Sequence, residues 1–253
     1  MKVRIFIVNP PEPSHDTGMI RQFFRVVFTA GVTGLVALAF HPYHDGALRY
    51  GLPLSLLALL SAGMVLFWNR KVLRFALLVV PVLCVVPFLM PGKPVSPSDL
   101  SSRYVAALGR MEGVPYLWGG EGRRGVDCSG LPRRALRDAL WETAFETANP
   151  TALRQWAEQW WFDTSAKALG ENYRGFTRPL GMAGKLRDLD SGVLSAGDLA
   201  VTGDGRHVMV CFGEGRWIQA DPGPWKVAVG NPKTDRNPWY DSHVTLHRWM
   251  LLE

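Results

Sequence analysis

The sequence lacks the signatures of three classes of functional site. Its Gly-rich stretch between residues 112 and 126 does not end in Gly-Lys-Ser or Gly-Lys-Thr, which excludes a loop that cradles nucleotide phosphates. No cluster of His, Cys and Asp shows metal-ligand spacing, so we expect neither metal catalysis nor a cofactor. The third missing feature is a basic surface outside the N-terminal third of the chain.

The net charge of +6 and the pI of about 9.4 arise in that N-terminal third. Residues 1–91 carry about eight Lys and Arg against three acidic residues, whereas residues 92–253 carry about twenty against nineteen. The C-terminal part therefore has no excess of positive charge to attract phosphate groups, and no nucleic-acid partner is expected.

Three long apolar runs lie in the same N-terminal third, namely Val26 to Phe40, Gly51 to Trp68 and Phe75 to Pro91. A bilayer core needs a helix of about 20 residues. The second run fits best, the first is short, and the third contains two prolines, which membrane helices tolerate. We predict three transmembrane helices; the alternative is a soluble protein with a buried helical domain.

The distribution of basic residues predicts how these helices are oriented. They are Lys2, Arg4, Arg21 and Arg25 before the first run, and Arg70, Lys71 and Arg74 before the third. By the positive-inside rule the N-terminus is cytoplasmic and residues 92–253 lie outside. We therefore predict a membrane region over residues 1–91, a linker over 92–98 and an external domain over 99–253.

The external domain is predicted to be α+β, because helical patterns come first and short alternating strands follow. Predicted helices run from Ser98 or Asp99 to about Met111, from Cys128 onward, and from Thr151 to about Leu169. Predicted strands are Asp198–Val201, His207–Phe212, Arg216–Ala220, Trp225–Val229 and Val244–Leu252. For the Trp-rich segment 141–190, packing is favoured over a role as a substrate wall.

Cys128, in the run Asp127-Cys128-Ser129-Gly130, is a candidate nucleophile. Asp127 is a good N-cap residue and apolar residues recur afterwards at helical spacing, so Cys128 is predicted to open an amphipathic helix. The reactive form of cysteine is the thiolate, which the dipole of such a helix favours. A buried structural cysteine beside a Gly-rich loop is the alternative.

His207 is the candidate base for this cysteine, on the strand that carries Met209 and Cys211 on the same face. If Gly213, Glu214 and Gly215 form a hairpin loop, Phe212 pairs with Arg216, Met209 with Gln219 and His207 with Asp221. Gln219 and Asp221 then both lie within reach of His207, and either could fix its tautomer.

The two other cysteines are not expected to take part. Cys211 lies four residues along the strand from His207, about 13 Å away at about 3.3 Å per residue. That is too far for a disulfide with Cys128 if His207 touches Cys128, so Cys211 is predicted to belong to the core. Cys84 is predicted to be buried in the membrane.

Together these residues resemble the NlpC-type cell-wall cysteine peptidases, a papain-like family, from about Ser98 to Asp221. The matching elements are Pro115 to Gly120, Asp127 to Gly130, Gly197-Asp198-Leu199, His207-Val208 and Ile218-Gln219-Ala220. The resemblance implies N-terminal helices packed on an antiparallel sheet. It also implies a bacterial enzyme that cuts γ-D-glutamyl to diamino-acid bonds, or related amides, in peptidoglycan stem peptides.

The resemblance also implies roles for individual residues. Cys128 would be the nucleophile, His207 the general base and acid, and Gln219 the third polar residue. Substrate-binding or oxyanion roles would fall to Tyr116, Asp127 and Ser129, with the Cys128 N–H facing the oxyanion. The segment between Leu131 and Gly197 is longer than we expect for the family. Three N-terminal membrane helices are also unusual for it.

Two other functions stay open on the sequence. One is a Cys-dependent hydrolase or acyltransferase acting on a substrate outside the cell wall, and the other is a catalytically inactive peptidoglycan-binding module. The predicted location is the bacterial inner membrane, with the catalytic domain periplasmic or extracellular. Peptidoglycan and the membrane are the expected partners, and the sequence leaves protein partners open.

Overall fold

The structure is a computed structural model that describes residues 15–162 and 164–253. The chain forms two compact units. One comprises the chain up to Phe40 together with Tyr50–Val82, and the other comprises His41–Arg49 together with Leu83–Glu253. The predicted division into residues 1–91, 92–98 and 99–253 thus differs from these units at residues 41–49 and 83–91, both of which cluster with the C-terminal part.

Three long apolar helices, as predicted, precede the C-terminal domain. They are α1 (His15–Ala39), α2 (Gly46–Leu66) and α3 (Lys71–Leu89). Each is long and apolar enough to cross a membrane, with mean hydropathies of 1.6, 1.5 and 2.6. Lys2 and Arg4, on which the predicted orientation partly depends, lie outside the described residues.

Four helices belong to the C-terminal part of the chain. They are α4 (Pro97–Gly109), α5 (Gly130–Glu146), α6 (Pro150–Trp161) and α7 (Ala166–Gly170). Helix α4 is capped by Ser96, whose hydroxyl accepts from the Asp99 N–H, and not by Ser98 or Asp99 as predicted. Pro97 has no N–H and suits the first helical position, so the cap lies two residues upstream of Ser98.

Eight strands form a small hairpin and a six-stranded sheet. The hairpin pairs β1 (Glu121–Gly122) with β2 (Gly125–Val126). The sheet contains β3 (Thr177–Lys185), β4 (Leu199–Thr202), β5 (Val208–Gly213), β6 (Arg216–Asp221), β7 (Lys226–Gly230) and β8 (His243–Trp249). All its neighbours are antiparallel, in the order β3-β8-β4-β5-β6-β7. The predicted α+β class is confirmed.

The alternation of side chains along β5 divides the core between the two faces of the sheet. Val208 and Val210 join the larger cluster, which includes the inner faces of α4 and α5. Met209 and Cys211 join the smaller cluster on the opposite face. Cys211 is therefore a core residue, as predicted, and its thiol is free.

Two predictions for the middle of the chain were wrong. The helix expected from Thr151 to Leu169 is two helices, because the backbone at Phe162 is extended and Ser165 caps a new helix. Strand β3 was missed, because a register shift between Pro179 and Ala183 interrupts its alternation.

The hairpin between β5 and β6 has the predicted register in its strands but a different turn. Val210 pairs with Ile218, in line with the prediction, whereas Arg216 pairs with Gly213 and not with Phe212. The shift is a bulge between Cys211 and Gly213, next to a two-residue turn in which both residues have positive φ.

Candidate active site

The residue Asp127 organises the chain around Cys128. Its side chain accepts from the backbone N–H groups of Gly119 at 2.8 Å and Gly130 at 2.6 Å, and from the Ser129 hydroxyl at 3.0 Å. Its carbonyl accepts from the N–H of Leu131, which is a helical bond. Asp127 therefore supplies the predicted capping contacts, although regular helix α5 begins at Gly130 and Cys128 precedes it.

The two glycines of this region are required by close backbone approaches. A Cβ at Gly130 would lie 2.3 Å from the carbonyl oxygen of Gly120. A Cβ at Gly120 would lie 2.6 Å from the carbonyl oxygen of Gly125. Real Cβ atoms do not come so close to backbone oxygen, so only glycine lets the hairpin pack against the start of α5.

Cys128 is buried against the backbone on either side of His207. Its Sγ lies 3.6 Å from the carbonyl oxygen of Arg206 and also interacts with the N–H of Val208. Burial raises the pKa of the Cys128 thiol to about 12, and the charge of Asp127 adds to this effect. The resting group is thus a thiol, and the predicted advantage of the helix dipole for the thiolate is outweighed by desolvation.

His207 directly precedes β5, and its ring is held on one edge and one face. Its Nε2 lies 2.6 Å from Oε1 of Gln219, and its ring stacks on Trp239 at a centroid distance of 4.0 Å and an angle of 15°. Burial lowers the pKa of His207 to about 4. The imidazole is therefore neutral at pH 7, and the Gln219 oxygen beside Nε2 favours the tautomer that carries its proton on that nitrogen.

Gln219, and not Asp221, is the residue that hydrogen-bonds His207. The Gln219 side chain is buried and its amide also hydrogen-bonds the Tyr240 hydroxyl, which fixes the oxygen toward His207. Asp221 instead accepts from the Asn237 amide at 2.7 Å and from Trp239 Nε1–H at 3.3 Å. Asp221 thus holds the tryptophan that stacks on the imidazole.

A cleft of about 350 Å³ opens beside the thiol. Its lining includes Cys128, Asp127, Ser129 and the exposed Trp118. Tyr116 lies nearby, with its ring edge against Trp225, and burial raises the pKa of its hydroxyl to about 12. The structure thus brings the predicted substrate-binding residues Asp127 and Ser129 together at the nucleophile, with Tyr116 at their side.

Part of the cleft lining, namely Glu121, Arg133 and His44, belongs to a cluster of buried ionisable groups that the sequence did not predict. Glu121 forms ion pairs with Arg133 and with Arg137, the latter at 2.5 Å, and lies 3.6 Å from His44 Nδ1. Burial opposes ionisation of Glu121, but Arg137 and Arg133 hold its pKa below its usual value. The only signal in the sequence was the spacing of the two arginines by four residues on one face of α5.

The domain around this cleft matches a known family. The model of the NlpC/P60 family matches residues 113–246, about half of the chain, and the match includes Cys128, His207 and Gln219. The chain belongs to the NlpC/P60 family. The predicted resemblance is confirmed, and residues 113–246 are called the NlpC/P60 domain below.

The chain is also similar to several solved structures, two of which are described as P60 or NlpC/P60 domains. The P60 domain of an antigen from M. avium subspecies paratuberculosis is 20% identical over 63% of this chain and 99% of its own, with a TM-score of 0.35. The NlpC/P60 domain of the peptidoglycan hydrolase SagA is 21% identical over 59% and 98%, with a TM-score of 0.34. The peptidoglycan hydrolase RipB from Mycobacterium tuberculosis is 20% identical over 64% and 70%, with a TM-score of 0.36. No curated protein matched the chain.

The described residues contain no group of three or more His, Cys, Asp and Glu side chains that could hold a metal ion. Cys128 lines the cleft, and behind it lie the buried neutral imidazole of His207 and the Gln219 amide that it meets. A thiol with a neutral imidazole nearby is an arrangement suited to nucleophilic attack on an acyl group.

Proposed function

We propose that this protein is a membrane-anchored cysteine peptidase that hydrolyses amide bonds in peptidoglycan stem peptides. The observation that carries the proposal is the hydrogen bond from His207 to the buried Gln219, beside Cys128 in an NlpC/P60 domain. A thiol, a base and a polar residue that fixes the base are the parts of a cysteine peptidase site. A module that only binds peptidoglycan has no need of this set.

In the proposed reaction His207 acts first as general base. Its Nδ1 takes the proton of the Cys128 thiol as Sγ attacks the carbonyl carbon of the scissile amide. The proton moves during attack, because burial disfavours both the free thiolate and the imidazolium before substrate is bound. The amide carbonyl oxygen becomes an oxyanion, toward which the Cys128 N–H and the Tyr116 hydroxyl are directed in the proposal.

The second half of the reaction uses the same residues in reverse order. The imidazolium of His207 gives its proton to the amine, the C–N bond breaks, and an acyl thioester remains on Cys128. His207 then accepts a proton from water, which attacks the thioester carbon and releases the acid and the thiol. Gln219 keeps the Nε2 proton in place throughout, so that Nδ1 remains the nitrogen that exchanges protons.

The proposed membrane topology is supported by the segment His41–Arg49. This segment contacts Gly119 and Gly120 within the same compact unit, so in the proposal it lies on the same side of a bilayer as the NlpC/P60 domain. Two crossings, by α2 and α3, return the chain to the side it left. An external catalytic domain then requires a cytoplasmic N-terminus, in agreement with the basic residues that flank α1 and α3. We propose the bacterial inner membrane as the location.

The proposal is tested by mass spectrometry of the muropeptides released from purified sacculi. The full chain in detergent is compared with Cys128→Ala, since residues 41–49 contribute to the cleft and a protein that starts at residue 92 would lack them. Release by the wild type alone supports the proposal and identifies the bond. If neither protein releases fragments while Cys128 is still readily alkylated, the enzyme acts on another acyl substrate. No release together with stable binding of both folded proteins to the sacculi points to a binding module.

A further inference from the structure

The segment His41–Arg49, which comprises most of the loop between α1 and α2 and the first turn of α2 and is called the loop below, lies against the NlpC/P60 domain beside the cleft. Tyr43 forms an antiparallel bridge with Gly120, and the N–H of His44 donates to the Gly119 carbonyl oxygen at 3.0 Å. The loop thus places an extended segment alongside residues 119 and 120, which directly precede β1. His44, in this loop, lines the cleft together with Cys128.

The His44 side chain is fixed in this position from two sides. Its Nε2 lies 2.8 Å from the Trp160 carbonyl oxygen, to which it donates, and its ring meets the Trp160 indole edge-on. Its Nδ1 faces Glu121 at 3.6 Å. Because Nε2 donates to a backbone carbonyl oxygen, the ring packs against Trp160 and only 8% of the residue is exposed, His44 is placed to hold neighbouring chain and not to bind substrate.

Residues 119 and 120, which this segment contacts, also hydrogen-bond Asp127, the residue before Cys128. The Gly119 N–H donates to Oδ2 of Asp127 at 2.8 Å, and the Gly120 carbonyl oxygen accepts from the Asp127 N–H at 3.0 Å. Asp127 in turn accepts from Gly130 at the start of α5. A continuous series of hydrogen bonds therefore runs from the loop through residues 119 and 120 to the residue before Cys128.

We propose that the loop His41–Arg49 is an integral wall of the catalytic cleft and that His44 is a positioning residue, which holds residues 119–121 against Asp127 and so fixes Cys128. The functional unit of this protein is then the NlpC/P60 domain together with a loop of the membrane region. This inference deepens the proposed function. It rests on that function only for the turnover measurement, since the position of Cys128 can be tested without substrate.

The test compares His44→Ala and His44→Gln with the wild-type full chain in detergent. Alkylation of each cysteine by iodoacetamide is followed by peptide mass spectrometry, which reports Cys128 and the core residue Cys211 separately. In His44→Ala we expect Cys128 to be alkylated about tenfold faster, since loss of a buried hydrogen bond shifts a local opening equilibrium by about that factor. Alkylation of Cys211 should stay unchanged. Release of muropeptides should fall in kcat by about tenfold, with KM unchanged.

His44→Gln should restore both readouts to within about threefold of the wild type, because the Gln amide can still donate to the Trp160 carbonyl oxygen. His243→Ala, at an exposed histidine on β8, is the matched control and should change neither readout.

The proposal is overturned if Cys128 alkylation in His44→Ala stays within twofold of the wild type. It is also overturned if Cys211 becomes reactive in step with Cys128, which means general unfolding, or if KM alone rises, which means substrate contact. Failure of the wild type to release muropeptides leaves the alkylation result decisive for His44.

Discussion

The burial of a neutral His207 predicts that the protein loses stability in acid by a definite amount. The pKa of His207 is lowered to about 4 by burial, whereas a histidine in the unfolded chain has a pKa of about 6.5. Between these values the unfolded state binds more protons than the native state. The free energy of unfolding therefore falls as the pH drops below about 6.5 and levels off near pH 4.

The size of this effect follows from the difference between the two pKa values. Each unit corresponds to about 1.4 kcal/mol, so a difference of about 2.5 units gives about 3 kcal/mol. The environment supports a large shift, because the imidazole is 1% exposed, is stacked on Trp239 and faces the neutral amide of Gln219.

The assay is chemical unfolding of the full chain in detergent from pH 7.5 to pH 4, followed by tryptophan fluorescence. The matched variant is His207→Gln, which is uncharged at every pH, so that the acidic groups of the protein titrate alike in both. We expect the wild type to lose about 3 kcal/mol more than the variant over this range. If both proteins lose the same amount, His207 is not a buried neutral base and the reasoning on its protonation fails.

Four further predictions concern the site. Gln219→Ala should reduce kcat without abolishing activity, in contrast to His207→Ala and Cys128→Ala, in muropeptide release assays; full activity of His207→Ala would contradict its role as the base. Trp239→Ala should lower kcat more than Trp239→Phe, because phenylalanine keeps the stack on His207 and loses only the hydrogen bond to Asp221. If steady-state assays show equal losses of kcat in the two variants, the stack does not contribute. Gly130→Ala should lower the thermal midpoint and activity together, since its Cβ would clash with the Gly120 carbonyl oxygen, and an unchanged midpoint by calorimetry would refute this. Activity against pH should fall on the acid side near pH 4, where His207 becomes protonated, and a midpoint near 6.5 would indicate an exposed histidine.

Much of the catalytic arrangement could be predicted because it depends on local patterns. The capping role of Asp127 follows from its own residue type and the helical pattern after it. The reach of Gln219 to His207 follows from the alternation of two neighbouring strands, which sequence periodicity shows well. The choice between Gln219 and Asp221 could not be made, because it depends on Asn237 and Trp239, which approach from a distant segment.

The features that the sequence did not predict are those made by long-range contacts. His44 lies 77 residues before Glu121 in the chain, and no periodic pattern connects them. A histidine next to an apolar run gives no sign in the sequence of such a contact. The protonation of Cys128 was also misjudged, because a helix N-terminus can be recognised in the sequence whereas the burial of a single thiol cannot.

The most direct test of the account is whether loss of activity follows modification of Cys128 alone. The full chain is treated with increasing amounts of iodoacetamide, and the fraction of each cysteine modified is measured by peptide mass spectrometry. Muropeptide release from sacculi is then measured on the same samples. The account predicts that activity falls in proportion to modification of Cys128, whatever the state of Cys84 and Cys211. Full release by protein in which Cys128 is completely modified would contradict it.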